Sequence, residues 1–194
     1  EQVLAPIYGS VWGYRHRARL SVREVAKKGT VLVGFHEKRS SFIADMKSCE
    51  ILPKRVSDLL VPLRELINSL SLRKKLPQIE LAVTDEALAL VLRVLEKLTA
   101  DDEAKLRQFQ KDYGVDFWYQ PKGPDSIYPM DPENATRLKL HLHHRETGVE
   151  VVFRPTDFTQ VNHRLNEVMV TRVLRLLHLE PSSKVIDFFC GLGN

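Results

Sequence analysis

The fold class is decided by the last ten residues of the sequence, Val185-Ile186-Asp187-Phe188-Phe189-Cys190-Gly191-Leu192-Gly193-Asn194. The apolar run at 184–189 predicts a short strand that is buried on both faces, as strands of a parallel sheet are. Such a strand brings Asp187 to its carboxyl end. The glycines that follow allow a ligand to lie against bare backbone.

The spacing of these glycines indicates what kind of ligand the loop takes. Dinucleotide-binding folds place three glycines here so that a pyrophosphate meets a helix N-terminus. This loop has two, Gly191 and Gly193, in an Asp-x-x-x-Gly-x-Gly pattern. That pattern is more typical of S-adenosylmethionine sites, where no phosphate needs to be held. A purely structural strand and turn is the alternative interpretation.

The residues before this strand indicate a second domain. A helix is predicted from Asn162 or Asn166 to about His178, and Pro181 ends it. Helix, turn, buried strand and glycine loop together are typical of the start of a doubly wound, Rossmann-like α/β domain. We therefore predict two domains, at 1–153 and 154–194, the second of them incomplete.

Residues 1–153 have the pattern of an α+β domain, an antiparallel sheet with helices. Strands are predicted where β-branched and aromatic residues lie between turn signals: at 11–25, 31–35, 41–45, 79–84, 87–95, 115–119, 137–143 and 149–153. The run at 87–95 is so rich in Ala and Leu that a helix is the alternative there. A helix is predicted after Pro53, with Pro62 marking a kink or the real start, and another at 101–113, before Gly114.

Composition excludes several classes of protein. The chain has 194 residues, 43% hydrophobic and 28% charged, which is ordinary globular composition. No apolar run reaches the ~20 residues that span a bilayer. Two cysteines, Cys49 and Cys190, are too few for a disulfide framework and fit a cytoplasmic protein. We expect no membrane partner, and we expect the chain to be part of a longer protein.

Positive charge is concentrated at the N-terminus. Residues 1–55 hold 11 Lys and Arg against 5 Asp and Glu, which favours a polyanion partner. In a strand at 11–25, Arg15, Arg17 and Arg19 would share one face, with Arg23 extending the row. Guanidinium groups in a row can each bind a phosphate. Solvated arginines on a wet sheet face are the alternative.

Other side chains are candidates for sites around this row. Lys38 and Arg39 would extend this row. A nucleic acid is the usual polyanion partner, and if it is RNA, Tyr14, His16 and Phe35 are candidates for stacking on unpaired bases. Further along, His141 and His143 share a strand face that could bind a metal. An exposed hairpin edge is the stronger interpretation there, because no carboxylate or cysteine nearby in the sequence completes a ligand set. Trp118 and Tyr119 are predicted to pack in the core or at an interface.

A further polar segment precedes the predicted C-terminal helix. In Phe153-Arg154-Pro155-Thr156-Asp157-Phe158-Thr159-Gln160-Val161-Asn162, polar and aromatic residues alternate. Taken alone, the segment is explained by Asn162 capping the helix and Gln160 lying on the surface.

Together, FRPTDFTQVN and VIDFFCGLGN resemble the start of the catalytic domain of the RNA uracil-5-methyltransferase family, most closely its 23S ribosomal RNA branch. The stretches WGYRHRARL at 12–20 and KSCEIL at 47–52 are similar to that family's central RNA-binding domain. The resemblance implies formation of 5-methyluridine in 23S ribosomal RNA with S-adenosylmethionine as methyl donor, by a cytoplasmic enzyme that is a monomer at full length.

The resemblance also implies roles for individual residues. Gln160, Phe189 and Asn194 match positions that contact S-adenosylmethionine, and Asp187 and Gly191 lie in the same loop. Cys49 matches the last of four cysteines that hold a 4Fe-4S cluster in many members. Since a cluster needs about four thiolates, this chain by itself is not expected to bind one.

The family's chemistry uses a cysteine thiolate that adds to carbon 6 of uracil and a glutamate that removes the proton from carbon 5. Both are expected downstream of Asn194. Cys190 lies in the cofactor loop and is not assigned as the nucleophile, so the chain alone is expected to be inactive.

Three alternative functions are weighed against this one. The first keeps the family and changes the substrate to transfer RNA, and the second is a non-catalytic RNA-binding module. The third, a nicotinamide-dependent dehydrogenase, would need a third glycine and a later acidic residue.

Overall fold

The computed structural model describes residues 3–134 and 140–193. Within these ranges the strands are β1 (Arg17–Val25), β2 (Thr30–Gly34), β3 (Gln78–Val83), β4 (Leu88–Arg93), β5 (Asp116–Gln120), β6 (Tyr128–Pro129), β7 (Leu140–His144) and β8 (Val149–Phe153). The helices are α1 (Lys54–Ser57), α2 (Leu60–Ser69), α3 (Ala100–Tyr113) and α4 (His163–Leu177). No helix in the described part of the chain is long and apolar enough to cross a membrane.

Six strands form one mixed sheet in the order β2-β1-β3-β4-β5-β6. All neighbours in it are antiparallel except β4 and β5, which are parallel. The expectation of a purely antiparallel sheet is therefore wrong at this pair. The physical reason is α3, which lies between β4 and β5 in the chain and carries it back across the sheet, as a parallel connection requires.

One face of the sheet packs against the helices and forms the main core. Along β1 the buried residues alternate, with Ala18, Leu20 and Val22 facing inward. Leu63 and Ile67 of α2 belong to the same cluster of buried side chains. This amphipathic alternation fixes which face of β1 meets solvent, because successive side chains of a strand point to opposite faces.

The opposite face is covered in part, by a hairpin and by the segment at Thr156, whose carbonyl accepts from Arg17. Strands β7 and β8 pair with each other, and Leu140 and Phe153 pack on Val91 and Trp118 in a second apolar cluster. Trp118 and Tyr119 are both buried, which confirms their prediction as packing residues. The hairpin leaves the β1 end of this face to polar side chains.

Two helix predictions are confirmed, and both rest on local signals. Thr99 and Asp102 form a reciprocal capping box at the start of α3, and Gly114 ends that helix in the left-handed conformation. Pro62 lies in the first turn of α2, where its missing N–H is not needed, and therefore marks the start of the helix.

The predicted strand at 11–25 begins too early. Gly13 has a φ of +63°, which interrupts the extended alternation. The backbone here is hydrogen-bonded to a different segment instead of a sheet neighbour. The Gly13 N–H donates to the Glu50 carbonyl and the Arg15 N–H to the Ile51 carbonyl, both at 2.8 Å. The strand proper therefore starts at Arg17.

The predicted third strand at 41–45 is also wrong. Only an isolated bridge joins His36 and Ile43. The Phe42 N–H donates to the Ser40 hydroxyl at 2.9 Å, so a local side-chain bond competes with a strand ladder.

At the C-terminus the helix is confirmed and the strand is not. Asn162 caps α4, accepting the Leu165 N–H at 3.0 Å. Residues 184–189 are exposed and do not form a strand. A strand needs at least one hydrogen-bonded neighbour, and none of the described residues supplies one to this segment.

Asp102 provides a test of this packing. Its buried carboxylate accepts the N–H and hydroxyl of Ser71 at 2.8 and 2.6 Å and the Thr99 N–H at 3.3 Å. Burial alone would raise the pKa of Asp102, but the hydrogen bonds from Ser71 and Thr99 outweigh it and hold the pKa below its usual value.

We expect Asp102→Asn to lower the free energy of unfolding at pH 7 by about 2 kcal/mol, because an amide cannot accept all of these bonds. The loss should shrink as the pH falls below about 4, because there the unfolded chain binds a proton on Asp102 that the folded chain still resists, so the wild-type carboxylate stabilises the fold progressively less. Denaturant titration of the 194-residue chain measures this. Asp101→Asn, in the same helical turn but exposed, is the matched control and should cost less than about 0.5 kcal/mol.

Candidate functional site

The polar face of β1 carries three arginines with alternate spacing. Arg17, Arg19 and Arg23 share the face opposite the helices, and their exposure differs. The Arg19 side chain is 67% exposed, whereas that of Arg17 is 19% exposed. Arg15 lies before the strand, and its guanidinium lies over Phe35, which packs against the main core; the predicted alignment of Arg15 with Arg17 and Arg19 is therefore wrong.

A buried carboxylate lies directly beside this row. Glu80 is the cross-strand partner of Arg19, and Arg19 Nη2 lies 2.9 Å from Glu80 Oε1. Arg17 Nη2 lies 4.0 Å from Glu80 Oε2, and the Gln78 amide donates to Glu80 Oε1 at 2.9 Å. Glu80 therefore offsets part of the positive charge and orients both guanidinium groups.

The positive surface extends further than the sequence indicated. Arg93 of β4 pairs with Gln78 of β3, which places Arg93 on the same face as Arg19 and Arg23. Strand register decides this placement, and no local sequence signal reveals it. We call Arg19, Arg23 and Arg93 the basic face.

The turn at 37–40 adjoins the basic face. The Arg23 guanidinium donates to the Ser41 carbonyl at 2.9 Å, which holds this turn beside β1. Lys38 and Arg39 are both exposed there. Their predicted position next to the arginine row is consistent with this contact, and their role in RNA binding stays a prediction.

The three candidates for base stacking are partly engaged within the chain. Arg15 lies over the Phe35 ring, with its guanidinium carbon 5.7 Å from the ring centroid. The His16 ring stacks on His163 at 4.8 Å, and His16 Nδ1 lies 2.9 Å from the Tyr14 carbonyl oxygen. The rings of Phe35 and His16 are therefore already contacted, by the Arg15 guanidinium and by the His163 ring.

The segment between β8 and α4 presents Gln160 to solvent. Arg154 and Asp157 close a turn, with the Arg154 N–H donating to Asp157 Oδ2 at 2.8 Å. Thr159 is 2% exposed, whereas Gln160 and Phe158 are exposed. Gln160 thus lies on the surface and Asn162 caps the helix, as the segment taken alone predicts.

The glycine loop at 187–193 is exposed to solvent. Asp187, Phe189 and Gly191 are exposed, and the Phe189 N–H donates to Asp187 Oδ1 at 2.9 Å. Gly191 and Gly193 have φ values of +55° and +83°, which glycine adopts without strain. Asn194 lies outside the described residues.

A cavity of about 300 Å³ lies between the β3–β4 turn, the β7–β8 hairpin and α4. Asp85, His144, His163 and Glu167 contribute polar groups to its wall, and Gly193 of the glycine loop also reaches it. Gln160 is not part of the wall that the described residues form, so the structure does not bring Gln160 into this cavity.

The candidate metal ligands do not form a complete set. Cys49 is half-buried against the core, and its N–H donates to the Ser57 hydroxyl at 2.8 Å. One thiolate does not satisfy the donor requirement of a 4Fe-4S cluster. His141 contacts Glu150 across the hairpin, and His143 Nε2 lies 3.9 Å from the same carboxylate. Among residues 3–134 and 140–193, no group of three or more His, Cys, Asp or Glu could hold a metal.

His163, in the wall of the cavity, is a strongly perturbed titratable group. Its pKa is lowered to about 4, mainly because burial disfavours the charged ring and also because His16 is adjacent; Asp85 opposes both effects. Between this value and the ordinary 6.5, the unfolded chain binds a proton that the folded chain does not.

We therefore expect the free energy of unfolding to fall as the pH is lowered from about 6.5 to 4. His163→Phe keeps a ring on His16 and should flatten this dependence. Denaturant titrations of the 194-residue chain at pH 7, 6 and 5 measure the slope, with His143→Phe on the exposed hairpin edge as control. An unchanged slope in His163→Phe would contradict this origin.

The fold is similar to that of a known enzyme. No protein-family model matches the chain. Among solved structures it is similar to the Pyrococcus abyssi tRNA (uracil-54, C5)-methyltransferase in complex with S-adenosyl-L-homocysteine, with a TM-score of 0.60. The match is 17% identical and covers 86% of this chain and 41% of that chain. At this identity the match shows a fold of the uracil methyltransferase type and nothing finer.

Curated relatives are more similar in sequence. The 23S rRNA (uracil(1939)-C(5))-methyltransferase RlmD of Burkholderia lata is 58% identical over 194 residues, all of this chain and 41% of the relative. The protein of the same name from Cupriavidus necator is 57% identical over 192 residues, 99% of this chain and 43% of the relative. The chain thus spans about two fifths of the length of these relatives. The predicted resemblance is confirmed: over its whole length the chain is similar to part of relatives that are named 23S rRNA (uracil(1939)-C(5))-methyltransferase.

Proposed function

We propose that this chain is part of an S-adenosylmethionine-dependent enzyme that forms 5-methyluridine in 23S ribosomal RNA. The observation that carries the proposal is the identity of 57–58% along the whole chain to relatives named for that reaction. Transfer RNA is the second candidate substrate, because the solved neighbour is named for it. Ribosomal RNA is favoured because the identity to that neighbour is 17%, against 57–58% to the relatives named for ribosomal RNA.

Within this enzyme we assign residues 1–153 to RNA binding and 154–194 to the start of the methyltransferase domain. The basic face supports the first assignment, since its arginines lie on a surface that the hairpin leaves open. Phosphate contacts of this kind hold RNA in register without reading its sequence. Arg19, Lys38 and Arg39 are the exposed members of the predicted set, and Arg23 and Arg93 add to them.

We assign the methyl donor to Gln160, Asp187, Phe189, Gly191 and Asn194. The positive φ values of Gly191 and Gly193 support this, because a backbone free of side chains lets a ligand approach closely. S-adenosylmethionine supplies an electrophilic methyl group when bound. The residues of this chain would bind and orient it; the nucleophile and the base are not assigned among them.

Cys49 is retained as the proposed fourth ligand of a 4Fe-4S cluster in the full-length protein. The donor set of this chain does not fit a cluster by itself, and no step of the reaction is routed through one. We further propose a monomeric, cytoplasmic full-length enzyme.

The reaction is tested with the full-length protein that contains this chain. With a radiolabelled methyl donor we expect 5-methyluridine in a 23S ribosomal RNA transcript and none in transfer RNA, whereas the 194-residue chain should transfer nothing. Methylation of transfer RNA alone would select the second candidate. Transfer by the isolated chain would contradict the assignment of the reacting groups to other parts of the protein.

The RNA-binding surface is tested separately by salt dependence. In the full-length protein, Arg19→Ala, Lys38→Ala and Arg39→Ala should each weaken binding of the ribosomal transcript and lower the slope of log affinity against log salt by about 0.9 for each phosphate that is no longer bound. Lys111→Ala, an exposed substitution on α3 across the sheet, should leave the slope unchanged. Equal slopes in all four variants would contradict the assignment.

A further inference from the structure

Arg17, the first residue of β1, and His16, just before it, contact the backbone on both sides of Gln160. The Arg17 guanidinium donates from Nη2 to the Thr156 carbonyl at 2.8 Å. The His16 backbone N–H donates to the Val161 carbonyl at 2.8 Å. Thr159, between these contacts, is 2% exposed. The position of Gln160 is therefore fixed by β1 while its own side chain remains exposed.

Arg17 is poorly placed to bind a phosphate. Its side chain is 19% exposed, against 67% for Arg19. Glu80 and the Thr156 carbonyl oxygen both lie at its Nη2. Burial lowers the pKa of Arg17, while Glu80 and Asp157 oppose this. An RNA phosphate that displaced the carbonyl would leave a backbone acceptor without its partner, which costs free energy in a half-buried position.

We propose that Arg17 is a positioning residue for the methyl-donor site: its guanidinium holds the Thr156 backbone and thereby places Gln160. This inference rests on the proposed function, because the contact between Gln160 and S-adenosylmethionine is part of that proposal. It reassigns Arg17 from the RNA-binding row to the cofactor site. Arg19, two residues further along the same face, keeps the RNA-binding role.

The chemistry of the guanidinium explains why arginine suits this position. A planar fork with five donors can bind a carbonyl oxygen and a carboxylate at once in fixed directions. A lysine ammonium keeps the charge and can still donate to one oxygen. Arg17→Lys should therefore rescue part of what Arg17→Ala loses.

The test uses the full-length protein and S-adenosylhomocysteine as an unreactive probe. Calorimetric titration should show that Arg17→Ala weakens binding of this probe about tenfold, the size expected for one charge-assisted hydrogen bond. The KM for S-adenosylmethionine should rise to a similar extent with kcat within about twofold, and the salt slope of RNA binding should stay at the wild-type value. Arg17→Lys should recover part of the probe affinity.

Arg19→Ala is the matched control, because Arg19 shares the strand face and the Glu80 contact. It should keep the wild-type affinity for S-adenosylhomocysteine and lower the RNA salt slope by about 0.9.

Two results would overturn the inference while the proposed function stands. If Arg17→Ala binds the probe normally and has a reduced RNA salt slope, Arg17 is a phosphate contact. If Arg17→Ala and Arg17→Lys weaken probe and RNA binding equally, with a matching loss of thermal stability, its role is only structural. A wild-type protein that does not bind S-adenosylhomocysteine contradicts the proposed function itself, and this inference with it.

Discussion

The alternation of side chains along β1 places the hydrophobic core on one side of the sheet and positive charge on the other. Ala18, Leu20 and Val22 pack inward, and the arginines between them face outward. A shift of one residue in strand register would bury the guanidinium groups and expose the apolar side chains. The same pattern therefore stabilises the fold and concentrates positive charge on the face where we propose that RNA binds.

Glu80 refines this arrangement. It is 8% exposed, and its carboxylate contacts both Arg17 and Arg19. A buried carboxylate would be costly without such partners, and the arginines in turn gain a fixed direction. One of them is turned towards the backbone at Thr156 and the other towards solvent. Two arginines on one strand face can thus have different roles: we propose that Arg17 positions the methyl-donor site and that Arg19 binds RNA.

Local signals allowed part of the fold to be predicted from the sequence. The capping box of α3, the Asn162 cap of α4 and the proline at the start of α2 act within a few residues, so they are visible in the sequence. Most strands were also identified, because β-branched and aromatic residues cluster in them. The strand predictions for 11–16 and 41–45 were wrong, because contacts with Glu50, Ile51 and Ser40 replace a strand ladder there.

Features that depend on distant residues could not be predicted in this way. The parallel pairing of β4 with β5 and the placement of Arg93 follow from sheet order. The strand expected at 184–189 depends on neighbours that the described residues do not provide. At the site, the resemblance supplied Gln160 and the glycine loop, whereas the partial burial of Arg17 and its bond to Thr156 required the structure.

The central claim, that RNA binds the β1 side of the sheet, is most directly tested by ultraviolet cross-linking of the full-length protein to a 23S ribosomal RNA transcript, with the linked peptides identified by mass spectrometry. The account predicts cross-links in peptides that contain residues 19–23, 38–41 and 93. Cross-links confined to α2 and α3, on the helical side, would contradict it.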